Sequence, residues 1–199
     1  MPDEELMLAY GRGDVRAFET LYQRHEAALY RFVRRLLGTA AAAQADEVFQ
    51  ETWMRIVAAR SRFVAQQAQW RTWAFTIAHN IAMDRLRVAG REVSVTLAEE
   101  GDADPLDWIV EALDDQAPST EDLAFWRAAG TQLLHCLDAL PAEQRAAFLL
   151  HHEDGVGVEE LAARLEVPFE TAKSRLRYAL KKLRGCMGAY LAPIVEKTL

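Results

Sequence analysis

LPAEQRAAFLLHHEDGVGVEELAARLEVPFETAKSRLRYALKKLR, residues Leu140–Arg184, is the stretch that decides the fold. Pro141 suits the first turn of a helix, where its missing N–H would find no partner anyway. Ala146, Ala147, Leu149 and Leu150 then supply an apolar face as far as His152. Asp154, Gly155, Val156 and Gly157 make a turn. Beyond it Val158–Leu165 forms a short second helix with Leu161, Ala162 and Leu165 inward, and Glu166, Val167 and Pro168 break the chain again. A third helix runs from Phe169 to Arg184. Helix, short turn, helix is the helix-turn-helix pattern. On the third helix Phe169, Ala172, Leu176, Ala179, Leu180 and Leu183 share an apolar face. Outward lie Glu170, Thr171, Ser174, Arg177, Tyr178 and Lys181, flanked by Lys173, Arg175, Lys182 and Arg184, so six bases accompany one acid. Short polar and forked side chains bordered by cations are what a helix needs to read base edges in a major groove and hold the phosphates beside it. A basic solvated helix would carry the same charges, but the short helix and proline turn before it favour the DNA reader.

Towards the N-terminus the period of 3.6 returns. After Asp14, placed as an N-cap, the residues Val15, Phe18, Leu21, Tyr22, Leu29, Phe32, Val33 and Leu36 recur mostly at steps of three and four, and Gly38 supplies the stop. Ala45–Ala59 and Gln69–Val88 repeat the signal, with the aperiodic Arg60–Gln67 between them. This predicts a helical bundle over residues 1–92. At about 100° per residue, Ala45, Val48, Phe49, Thr52 and Ile56 face inward, and Asp46, Glu47, Gln50, Met54 and Val57 face outward. Met54 and Val57 among acids suit docking on a basic protein partner. Scattered apolar residues are also ordinary on an exposed face, and periodicity alone leaves both readings open. In the next helix Asn80, Asp84 and Arg87 fall at i, i+4 and i+7, a stripe able to hydrogen-bond a base edge or a phosphate. Trp70 and Trp73 open that helix, where an aromatic beside basic groups can stack on unpaired bases. Trp73 shares a face with Ile77 and suits the core, and Asp84 can equally pair with an arginine of the long preceding helix.

The net charge of −7 hides a partition. Residues 1–92 hold 13 arginines and 11 acids, residues 93–124 no base and 10 acids, and residues 125–199 10 bases and 9 acids, for net charges of +2, −10 and +1. The excess acid therefore sits in Val93–Ala124, with Pro105, Pro118, Gly101 and Asp102, which reads as a linker between two nearly neutral domains. The predicted order is a domain at 1–92, the flexible linker at 93–124, a second domain at 125–190 and a tail at 191–199. A chain of 199 residues, 51% hydrophobic, can bury two small cores, which excludes disorder, collagen and a disulfide-stapled miniprotein. No apolar run reaches the roughly 20 residues of a spanning helix, and Met1–Glu5 lacks the basic and apolar regions of a secretory signal. A cytoplasmic protein without membrane insertion is expected. Cys136 and Cys186 match no CxxC or zinc spacing and are expected as reduced thiols, with His135 beside Cys136 structural rather than a metal ligand. No Ser/His/Asp, HExxH, Gly-rich phosphate loop or paired-carboxylate arrangement has supporting context, so neither enzyme, cofactor nor metal is expected.

Three segments, ADEVFQETWMRIV (Ala45–Val57), WRTWAFTIAHNIAMDRLR (Trp70–Arg87) and Leu140–Arg184, resemble an extracytoplasmic-function (ECF) sigma factor of the sigma-70 family, in order and across most of the chain. The resemblance implies an all-α protein of two helical domains, sigma region 2 and sigma region 4, joined by the acidic linker. It implies a dissociable subunit that binds core bacterial RNA polymerase, recognises promoter DNA and initiates transcription of a specific regulon. Asp46, Glu47, Gln50, Glu51 and Met54 would dock on the clamp helices of the largest polymerase subunit. Trp70, Asn80, Asp84 and Arg87 would hold the melted minus-ten element, and Thr171, Lys173, Ser174, Arg175, Arg177, Tyr178 and Lys181 the duplex minus-thirty-five element. The linker would thread the polymerase cleft, its ten acids against basic walls. An anti-sigma factor, or packing of the two domains on each other, would hold the free protein inactive. Glu170 departs from the Gly that often opens the last helix in the family, Ala172 from a common Val, and His151 from a frequent phosphate-contacting arginine. A one-component or response-regulator transcription factor would share the helix-turn-helix, but it needs a ligand pocket or alternating strands in the N-terminal half, where no strand signal appears.

Overall fold

In the computed structural model of the chain, residues 1–65, 69–92 and 120–188 are described, and every regular element among them is helical. In chain order these are α1 (Asp3–Gly11), α2 (Val15–Leu37), α3 (Ala45–Ala58), α4 (Trp70–Glu92), α5 (Thr120–Asp138), α6 (Ala142–Asp154), α7 (Val158–Arg164) and α8 (Phe169–Cys186). Short 3-10 turns occupy Thr39–Gln44 and Arg60–Arg62.

The sequence predicts no helix before Asp14, yet α1 forms there. Its apolar residues are contiguous rather than periodic, so no stripe announces it. Its first turn carries Asp3, Glu4 and Glu5, which favour the positive end of the helix dipole, and Leu6 and Met7 are buried where it packs on α2. Tertiary bonds fix it further. Asp3 pairs with Arg24 and, at 2.7 Å, with Nε2 of His25, both on α2, while Glu4 accepts the backbone N–H of Trp70 at 2.9 Å.

The long helix α2 begins and ends as its sequence predicts. The Asp14 carboxylate accepts from the backbone N–H groups of Arg16 at 3.0 Å and Ala17 at 3.4 Å, and Gly38 closes the helix in the left-handed region at φ 64°. Its buried face, Leu21, Leu29, Phe32, Val33 and Leu36, joins Val48 and Ile56 of α3 and Phe75, Ala78 and Ile81 of α4 in one core. The rings of Phe32 and Phe75 lie 5.0 Å apart. Each such side chain contributes about 1.5–3 kcal/mol on burial.

The C-terminal helices match the predicted helix-turn-helix. In the turn between α7 and α8, Glu166 takes the left-handed conformation at φ 52°, and the N–H of Val167 donates to the Ala162 carbonyl at 3.1 Å. In α6 the six consecutive residues 145–150 are all buried. At about 100° per residue these cover the whole circumference of a helix, and α6 is accordingly sandwiched, with α7 and α8 on one side and α2 and α4 on the other.

Two expectations need correction. Cys136 and Cys186 are not separate thiols but a disulfide, because α5 packs along α8 and brings their Cα atoms to 5.9 Å across 50 residues of sequence. Helix α5 begins at Thr120, so the last residues of the predicted 93–124 linker are helical. The rest of that linker and the 191–199 tail lie outside the described residues. No helix among the described residues is long and apolar enough to cross a membrane.

Candidate functional site

Helix α3 buries Ala45, Val48, Thr52, Trp53 and Ile56 and turns the opposite face out. The Thr52 hydroxyl, fully inside, is satisfied by donating to the Val48 carbonyl at 2.7 Å. Asp46, Glu47, Gln50 and Met54 are exposed, Met54 at 71%, and Glu51 is half-buried. These acids are already partnered within the protein. Tyr30 donates to Asp46 at 2.7 Å, Arg55 pairs with Glu51 at 2.6 Å, and Arg85 of α4 bridges Glu47 at 2.6 Å and Glu51 at 3.1 Å. Burial alone would raise the Glu51 carboxyl, but hydrogen bonds from Arg85 and Arg55 carry it below its ordinary value. The face therefore offers a protruding methionine on a largely neutralised acidic ground. Arg85 escapes sequence reasoning because nothing local signals a contact across 38 residues.

On α4 the expected stripe is divided. Asn80, Asp84 and Arg87 are exposed on one side, and Asp84 pairs with Arg87 of its own helix at 2.8 Å rather than with an arginine of α2. Trp70, expected at the same surface, is fully buried. Its ring packs 4.5 Å from His25 and 6.2 Å from Trp53, and α1 covers it through Glu4, so the indole belongs to the core. Trp73 packs partly buried against that core, 5.3 Å from the Phe63 ring, as its shared face with Ile77 predicts. Behind the stripe, His79 is buried, with Nδ1 3.0 Å from the Asn80 amide oxygen. Burial lowers its pKa, and Arg87, Arg175 and Arg164 add to that.

Helix α8 buries Ala172, Leu176, Ala179 and Leu183 against α6 and α7. Lys173, Arg177, Tyr178 and Lys181 are exposed, and Thr171, Ser174 and Arg175 are half-buried. The Ser174 hydroxyl donates to the Thr171 carbonyl at 3.0 Å, Arg175 pairs with Glu143 of α6, and Arg177 lies over the Tyr178 ring at 5.3 Å. Among the described residues Lys181, Lys182 and Arg184 make no ion pair. His151 is tied into the fold: its Nδ1 donates to the Val156 carbonyl at 2.6 Å and braces the turn before α7.

A helix-turn-helix carrying a cationic outer face, packed beside a helical bundle, defines a two-domain helical protein. Residues 21–92 match the model of sigma-70 region 2, and residues 130–183 match that of sigma-70 region 4. The chain belongs to the sigma-70 family as an ECF RNA polymerase sigma factor; it acts in transcription initiation and is not an enzyme. It is 29% identical over 176 residues to the ECF RNA polymerase sigma factor SigK of Mycobacterium tuberculosis, covering 87% of each chain. To SigE of Mycolicibacterium smegmatis it is 29% identical over 174 residues, 87% of this chain and 63% of that longer relative. The fold is also that of the sigma factor RpoE in complex with the anti-sigma factor NepR from Bartonella quintana, at TM-score 0.59, 24% identity, and 86% and 96% coverage of the two chains. CnrH in complex with the cytosolic domain of CnrY matches at TM-score 0.58 and 24% identity, over 94% and 97%.

Proposed function

We propose that residues 1–92 dock the chain on core RNA polymerase and hold the minus-ten element, and that residues 125–190 read the minus-thirty-five element. In this reading α3 meets the polymerase through Asp46, Glu47, Gln50, Glu51 and Met54. Asn80, Asp84 and Arg87 of α4 face the melted strand. Thr171, Lys173, Ser174, Arg175, Arg177, Tyr178 and Lys181 of α8 face the duplex. The observation that carries it is the contrast of exposed faces: acids already paired around an exposed Met54 on α3, and cations without acidic partners among the described residues along the outer end of α8. Two modest contacts on one chain gain avidity of roughly 100- to 10,000-fold when both are engaged. The acidic stretch before α5, residues 93–119, acts as the linker between them. The protein works in the cytoplasm, and an anti-sigma factor is a natural regulator, since RpoE and CnrH are each seen bound by a protein partner.

In vitro transcription from a promoter library, with purified core polymerase and with or without this protein, tests the reading. Start sites that appear only on addition and share two spaced upstream elements are expected. Failure to co-elute with core polymerase in gel filtration defeats it.

A further inference from the structure

Helix α8 opens on a residue that breaks its own pattern. The spacing puts Phe169 on the apolar face with Ala172, Leu176, Ala179 and Leu183, yet Phe169 is 42% exposed while those four are buried. The neighbouring Leu165, Val167 and Leu180 do pack against the core. The reason lies in where the helix meets that core. Pro168, Phe169 and Glu170 are all exposed and burial begins only at Ala172, so the head of α8 projects beyond the packed part of the domain. Its backbone is nonetheless fixed. The Pro168 carbonyl accepts the backbone N–H groups of Thr171 at 2.9 Å and Ala172 at 3.1 Å, and the proline ring restricts the chain just before Phe169. Lys173, one turn on, places Nζ 5.8 Å from the centroid of the Phe169 ring and 3.9 Å from a carboxylate oxygen of Glu170. An apolar ring therefore stands in solvent on a fixed backbone, with a cation at its side.

A single exposed phenylalanine is ordinary on a protein surface. This one is the first residue of the second helix of a helix-turn-helix, and the first residues of such a helix are those that meet base edges in the major groove. There the four bases differ in donors and acceptors, and thymine alone adds an apolar group, its 5-methyl. A ring that meets the methyl gains, since both lose apolar surface to water. Against the amino group of cytosine or adenine it loses, because it would take a polar group out of water without pairing it. We propose that Phe169 is a specificity-determining residue of the minus-thirty-five contact and selects a thymine by packing on its 5-methyl group. The inference rests on the assignment of α8 to that duplex element, and it adds a residue outside the polar and cationic set named for it. Lys173 and Phe169 act together. A phosphate that draws Lys173 brings the ring, one turn back on the same flank of the helix, against the base edges. The methyl contact carries no charge, so its discrimination persists at salt concentrations that weaken the phosphate contacts.

The test uses core polymerase loaded with the full chain, on promoters carrying the minus-thirty-five element that the chain selects from a library. Each thymine of the element is replaced in turn by deoxyuridine, which removes the 5-methyl and nothing else. At one thymine the unmodified chain should lose about fourfold in promoter binding, as expected for one buried methyl group. Phe169→Ala should bind the thymine promoter less well by a similar factor and treat thymine and deoxyuridine alike at that position. Phe169→Leu, which keeps an apolar contact, should retain part of the discrimination. Both variants should keep the helical circular dichroism of the unmodified chain, because the side chain is exposed, and the deoxyuridine comparison on the unmodified chain depends on neither. Equal binding of thymine and deoxyuridine at every position by the unmodified chain overturns the proposal. So does a selected element with no thymine on either strand, or discrimination that survives in Phe169→Ala. Failure of the underlying assignment gives a different result: scrambling the whole element then leaves binding by the unmodified chain unchanged, and the proposal falls with it.

Discussion

Helices α3 and α8 are both amphipathic, both bury one face in a small core, and both present a charged face outward, yet the charges are handled in opposite ways. On α3, Glu47 and Glu51 are bridged by Arg85 and Arg55, so the prominent unsatisfied feature is the exposed thioether of Met54. On α8 the partners thin out towards the C-terminal end, where Lys181, Lys182 and Arg184 have no acid among the described residues. A surface whose ions are neutralised internally loses little when desolvated against a protein, whereas unneutralised cations are kept for phosphates and gain by releasing counterions. In the proposed reading, prior pairing of charge is what distinguishes the face offered to a protein from the face offered to a polyanion, where net charge does not.

The sharpest way to break this contrast is salt. With about four phosphates neutralised, duplex binding should fall roughly 150-fold between 50 and 200 mM salt, at a slope of about −0.9 per contact. Core polymerase binding through α3 should change by far less over the same range, and equal slopes in paired titrations would refute the distinction. Next, Arg177→Ala should cost about 1–3 kcal/mol of base discrimination in competition transcription, with polymerase affinity unchanged. Loss of core binding in that variant would mean that the roles are not separate. Gln50→Ala combined with Met54→Ala should weaken polymerase binding about tenfold, as removal of an exposed apolar anchor does, and leave the thermal stability of the free protein unaltered.

Acid acts on both domains, by a smaller effect. Burial lowers the pKa of His25 and His79 in the first domain and of His152 in the second, against an ordinary value of 6.5. For each, the unfolded chain binds the proton first. The stabilising contribution is therefore complete above about pH 6.5 and declines as the pH falls through that value towards the lowered native pKa. Melting curves from pH 7.5 to 5.5 should show a falling midpoint, and His79→Gln should flatten the slope. The smallest effect is expected for Arg85→Met. Its pairs with Glu47 and Glu51 are partly solvent-exposed, so stability should change by less than about 1 kcal/mol, while the unmasked acids should modestly quicken association with polymerase at low salt.

What could be read from the sequence was local. Asp14 as N-cap, Gly38 as stop and the Pro168 turn before α8 each act within a few residues, and the structure places them as read. Trp70 shows where that stops. An aromatic at the head of a helix with arginines suits a stacking surface or a core equally well. Its burial was decided by α1, whose contiguous apolar residues carry no periodic signal, and by His25, 45 positions away. The end of α2 is similar: Gly38 announces a stop, but nothing beside it announces Asp138, which accepts the Thr39 backbone N–H at 3.1 Å, or Arg145, which donates to the Leu37 carbonyl at 3.4 Å. The faces of α3 and α8 were legible as periodicity, while the pairing that distinguishes them depends on Arg85 and Glu143 from other helices.

The Cys136–Cys186 bond turns the helix-turn-helix into a ring. Closing a loop of this length removes freedom from the unfolded chain worth about 4 kcal/mol in the chain-entropy treatment. Its topological effect is separate: the end of α5 and the end of α8 are joined covalently as well as by packing, so the first and last helices of this half of the molecule are fixed to each other independently of α6, α7 and the turn at Glu166. The C-terminal end of α8 therefore stays anchored to α5 even when the turns before it fluctuate.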